Sequence, residues 1–145
     1  MKISKLFTWL LFPFSLTTQV FSNTRTISTD YCPNLGSINH INENYYVAVK
    51  WDGIIQGTKQ NGEIKNFKEV VYSAENQTNP FVNGRLLHCS YELSNGKKID
   101  MRLLTGKNRA RINNSSDWHN VEFFGQPSPQ YFCDQSIERC QFNLI

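Results

Sequence analysis

The chain has 145 residues, with 15 Lys+Arg against 12 Asp+Glu. Beyond residue 22, 123 residues remain, with 13 basic and 12 acidic side chains, a net charge of +1 that selects no class of partner. That length suits one domain burying about two-thirds of its unfolded surface, and no later stretch is long and apolar enough to span a bilayer.

Met1-Lys2-Ile3-Ser4-Lys5 is positive, Leu6 to Leu16 is apolar and Thr17-Thr18-Gln19 is polar. This is the order of a secretory signal peptide. Val20 and Ser22 suit a signal peptidase, so cleavage is expected after Ser22, giving a product exported to the periplasm or the extracellular space. A membrane anchor needs about 20 apolar residues, and Pro13 interrupts a run that is already shorter. No cysteine near the cleavage point offers a lipid anchor. Residues 23–44 are polar and rich in Asn, Ser and Thr. They read as an extended arm held at Cys32-Pro33, with a disulfide-stabilised β domain over 45–145.

From Tyr45 the pattern has period two: Tyr45, Val47, Val49 and Trp51 would share the buried face of one strand. Further strands are expected at Ile54–Thr58, Phe67–Ser73, Leu86–Leu93, Lys98–Leu104, Trp118–Phe124 and Gln141–Leu144. Asp52-Gly53, Asn61-Gly62, Asn83-Gly84 and Asn95-Gly96 are dipeptides favoured in tight hairpins. A two-residue turn at Asn95-Gly96 would put Lys98, Asp100 and Arg102 on the face of Leu87, Cys89 and Tyr91. A three-residue loop, Ser94-Asn95-Gly96, with Gly96 as a bulge in the left-handed conformation, avoids this. It pairs Leu87, Cys89 and Tyr91 with Leu103, Met101 and Ile99, and His88, Ser90 and Glu92 with Arg102, Asp100 and Lys98. It also predicts a Glu92–Lys98 ion pair.

The cysteines are Cys32, Cys89, Cys133 and Cys140. In an exported chain an even number reads as two disulfides. Three pairings are possible. Cys133–Cys140 with Cys32–Cys89 is preferred, because the first closes a local loop and the second ties down the arm. No Cys-x-x-Cys pair suggests a metal site, and no cofactor is expected. The fold is therefore all-β: one antiparallel sandwich or partly closed barrel built from hairpins.

The expected register gathers His88, Ser90, Asp100 and Arg102 in one patch. Ser, His and Asp invite a hydrolase reading, but a nucleophile needs a base within reach and an oxyanion site. Ser90 lies in no nucleophile-elbow motif, and a solvated sheet face is preferred. His88 and His119 are the candidates for acid–base catalysis in a hydrolase or nuclease, though nothing in their spacing makes them meet. From Lys97 to Arg111, six basic residues (Lys97, Lys98, Arg102, Lys107, Arg109, Arg111) face one acid, Asp100, a local net charge of +5. Such a ridge could steer an anionic glycan, a lipid headgroup, nucleic acid or a protein. Its plain alternative is a sheet edge kept soluble by cations. Gly106-Lys107 lacks the rest of a phosphate-binding loop. Trp118 joins Lys98, Arg102, Lys107, Arg109 and Arg111 as a binding candidate because an exposed indole stacks on sugars; Trp51 reads as core.

Cys32-Pro33, Trp51 before Gly53, Cys89-Ser90-Tyr91, Trp118 and Cys133 with Cys140-Gln141-Phe142 form a pattern spanning the mature chain. It resembles a family of small exported bacterial proteins catalogued as a domain of unknown function. The resemblance implies bacterial origin and export, and carries over no site residue. The leading expectation is an exported, non-enzymatic binding module for an anionic surface or glycan. A secreted hydrolase or nuclease and a structural envelope protein are the alternatives.

Overall fold

The computed structural model describes residues 29–55, 62–121 and 125–145. The expected signal peptide and cleavage point, residues 56–58 of one expected strand and 122–124 of another lie outside these. The described chain forms ten strands: β1 Asn39–Asn42, β2 Tyr45–Ala48, β3 Trp51–Ile54, β4 Ile64–Ala74, β5 Gly84–Leu93, β6 Lys98–Leu103, β7 Arg109–Ile112, β8 His119–Val121, β9 Gln130–Cys133 and β10 Phe142–Leu144. They make one open antiparallel sheet in the order β1-β2-β3-β6-β5-β4-β9-β8. Beyond the 104–108 loop, β7 takes the place of β6 along β5 and pairs with β10 on its other edge.

The central hairpin has the bulged register. Cys89, Ser90, Tyr91 and Glu92 stand opposite Met101, Asp100, Ile99 and Lys98. Gly96 has φ 80°, and its N–H donates to the Leu93 carbonyl while the Leu93 N–H donates to Lys97. Burial explains the choice: Cys89, Tyr91, Ile99 and Met101 are at most 1% exposed, and a one-residue slip would put Asp100 and Lys98 among them. The alternation fails at Leu87, the extra residue of a bulge between the Val71↔His88 and Tyr72↔Leu86 pairs. Glu92 and Lys98 face each other without the expected ion pair. Lys98 reaches across β5 to Glu69, and Glu92 pairs with Lys68 at 3.8 Å.

The first strand departs from its expected form. The run from Tyr45 to Trp51 is a hairpin, reversing at Val49-Lys50 with Ala48 opposite Trp51. Lys50 has φ 68°. The buried residues are Tyr46 and Trp51, whereas Val49 is 84% exposed. A continuous strand would put the Tyr46 ring in water, and the reversal brings Tyr46 and Trp51 to one side. Gly53 is not a turn residue but lies in β3 over Ile99 and Met101, where a Cβ would meet the Met101 sulfur at 2.7 Å. There β3 bends across the inner face of β6. Gly84 likewise begins β5, against the Tyr72 ring. The 39–42 stretch of the expected arm is the edge strand β1.

The core lies on the inner face. Trp51 meets Phe142 edge-on with ring centres 6.5 Å apart, and Tyr72 meets Trp118 at 6.1 Å. Its buried tyrosines also tie down loops. Tyr46 donates to the Gly62 carbonyl, Tyr72 to Pro80 and Tyr91 to Pro33, so each buried hydroxyl is satisfied. The disulfides are Cys32–Cys89 and Cys133–Cys140. Strand β8 lies within the strand expected at Trp118–Phe124, whereas short β7 and β9 fall outside every expected strand, although the exposed–buried alternation of Arg109, Ala110, Arg111 and Ile112 is a strand signal.

Candidate functional site

The outer face of the sheet is built by the residues that alternate with the core. Along β4 these are Glu69, Val71 and Ser73; cross-strand pairing extends them into rows. In one row His88, Val71, Phe132 and His119 stand side by side on β5, β4, β9 and β8. The two candidate histidines thus share a face but stand three strand spacings apart, about 14 Å. His119 packs its ring on Phe132 at 5.5 Å. A shallow depression of about 370 Å³ beside this row is lined by Glu69, Val71, His88, Val121, Gln130 and Phe132.

The Ser–His–Asp patch is assembled in an order unsuited to nucleophilic attack. Ser90 is fully buried and its hydroxyl donates to Asp100 Oδ1 at 2.5 Å. His88 Nε2 lies 3.8 Å from Asp100 Oδ2. The carboxylate therefore sits between serine and histidine, whereas base activation of a hydroxyl needs the histidine in the middle. Burial lowers the His88 pKa below 6.5; Asp100 opposes this, Arg102 and Lys98 add to the lowering, and Glu69 opposes it.

The basic ridge is not continuous. Lys98 is paired with Glu69. Arg102 stands opposite Asp52, two residues from Asp100. Lys107 is exposed on the 104–108 loop. At the other end of β5, Arg109 stands opposite Arg85, and Arg111 follows on the same face of β7. All three arginines are exposed, and Glu75 pairs with Arg109 at 3.4 Å. Like charges directly opposite repel, so this corner concentrates positive potential that the Lys98–Arg102 end neutralises internally. Arg85 was missed because it lies 24 residues before Arg109 in the sequence. Only the β5–β7 pairing unites them.

Trp118 is corrected as a binding residue. It is 5% exposed and packs on Tyr72, so no sugar can stack on it. Its neighbour Asp117 is also buried, and accepts from Asn114 and from the Arg139 guanidinium. This tie between the 113–118 segment and the Cys133–Cys140 loop carried no motif.

The cysteine pairing, the central hairpin and the buried Trp51 and Trp118 together account for the pattern noted in the sequence. A family model described as a protein of unknown function (DUF3757) matches residues 26–143. The chain belongs to this family. No curated protein and no solved structure matches it. The residues of the pattern noted in the sequence hold the core: Cys32, Cys89, Trp51, Trp118, Cys133, Cys140 and Phe142 are all buried. The outer-face arginines stand apart from that pattern. No cluster of three or more potential metal ligands occurs among the described residues of this DUF3757 domain, and no described helix is long and apolar enough to cross a membrane.

Proposed function

We propose that the protein is an exported, non-enzymatic binding module that engages an anionic surface through the arginine corner of its outer sheet face. The observation that carries this reading is the direct opposition of Arg85 and Arg109 with Arg111 beside them. Three arginines against one carboxylate, Glu75, leave this corner a net positive charge that a bound anion offsets. Export is supported by the N-terminal pattern and by two disulfides, which persist in oxidising compartments. The separation of His88 from His119, and the burial of Ser90 against Asp100, favour binding over acid–base chemistry.

Retention on immobilised heparin tests the reading. The wild-type protein should elute only as salt rises, since screening shortens electrostatic reach to about 10 Å at 0.1 M. The Arg85→Ala/Arg109→Ala/Arg111→Ala variant should pass through in low salt, while a Lys65→Ala/Lys68→Ala control is retained. Equal retention of the arginine variant would refute the proposal.

A further inference from the structure

At one end of the molecule the β2–β3 tip and the loop leaving β6 stand side by side, joined by the Leu104 N–H donating to the Lys50 carbonyl at 3.0 Å. Val49 is 84% exposed, the most exposed large apolar side chain among the described residues, and Leu104 is 56% exposed. Isolated exposed aliphatics are ordinary. Here two lie on backbone segments that a hydrogen bond joins.

The two tips themselves carry one sign of charge, with Asp52 paired across to Arg102 behind them. Lys50 and Lys107 are exposed, and no Asp or Glu occurs in 48–51 or 103–108. Neither lysine is held in an ion pair among the described residues. Lys50 also occupies the left-handed region, which glycine or asparagine adopts more readily, so turn chemistry does not account for a lysine there. A soluble polyanion would use the cations and leave both aliphatics in water. A bilayer uses both: aliphatic tips enter the headgroup–acyl boundary while the amines meet lipid phosphates.

We propose that Val49 and Leu104 insert together into the surface of an anionic lipid bilayer, with Lys50 and Lys107 at its headgroups. The inference rests on the anionic-surface reading above and names the lipid as its partner.

The test uses the disulfide-intact protein with vesicles of equimolar phosphatidylglycerol and phosphatidylcholine, and with soluble heparin in parallel. Val49→Ser/Leu104→Ser should weaken vesicle binding by about tenfold or more and leave heparin retention unchanged. Both side chains are exposed, so the variant keeps its core. In Val49→Trp, the new indole is the exposed one among the described residues, since Trp51 and Trp118 are buried, and its emission should shift to the blue on vesicles. Heparin retention without vesicle binding would overturn insertion and leave the anionic-surface reading standing. Loss of both would remove the two together. Vesicle binding that the double serine variant does not weaken, or an unshifted Val49→Trp emission, would also overturn insertion. So would a wild-type dimer abolished by the serine variant, because the tips would then be covering each other.

Discussion

Arg139 has a side chain 60% exposed, yet its guanidinium grips Asp117, whose side chain is 6% exposed. The exposed residue is the one whose loss is felt. Arg139→Ala leaves the buried carboxylate with Asn114 as its remaining described partner and should destabilise by about 2 kcal/mol, in the range of charge-assisted hydrogen bonds. Urea unfolding measures this; a loss below a few tenths would make the pair a surface ornament. His88 behaves differently. Burial holds its pKa below 6.5, so the unfolded chain takes up the proton first as pH falls. Stability is therefore unaffected above 6.5 and declines as pH drops from there toward the lowered folded value. His88→Gln should shrink the difference between unfolding midpoints at neutral and mildly acidic pH.

At the scale of elements, the β5–β6 hairpin shows how a loop decides which side chains are buried. Gly96 at φ 80° lets one extra residue into the loop, and that residue sets Cys89 inward and Ser90 outward. Gly96→Ala should cost about 1 kcal/mol, because a Cβ opposes the left-handed conformation, and the Cys32–Cys89 bond should still form since burial fixes the same register. A peptide map of the variant finding Cys89 unpaired would contradict this. The β2–β3 hairpin is the contrasting case. Its turn falls at Val49-Lys50, which carries no turn signature, while Asp52-Gly53, which does, lies inside a strand. Packing of Tyr46 and Trp51 on one side outweighs local turn preference, since burying each aromatic is worth about 2 kcal/mol or more and turn preferences are smaller.

For the whole molecule, the two disulfides close loops of very different length, with sequence separations of 57 and 7. On the chain-entropy argument, removing Cys32–Cys89 by a double alanine substitution should cost about 4 kcal/mol and removing Cys133–Cys140 about 2.5 kcal/mol. Calorimetry or urea unfolding of the two variants should rank them so; the reverse order would mean that the short loop carries strain relief or packing that chain entropy omits. The longer bridge also fastens the segment around Pro33, whose carbonyl accepts from Tyr91, to the centre of the sheet. Its loss should loosen that segment while the outer face, on the far side of β5, keeps its rows.

The β class and the bulged register of the central hairpin were written in local sequence, because alternation of period two and a left-handed glycine act between near neighbours; of three possible cysteine pairings the sequence only favoured the one the structure holds. What the tertiary structure decided lies in long-range strand pairing. Only the sheet puts Arg85 opposite Arg109, separates His88 from His119 by Val71 and Phe132, and buries Trp118 against Tyr72. No local pattern records which strand lies beside which, since that choice is settled by how the core closes around Tyr46, Tyr72, Tyr91 and Phe142, all fully buried.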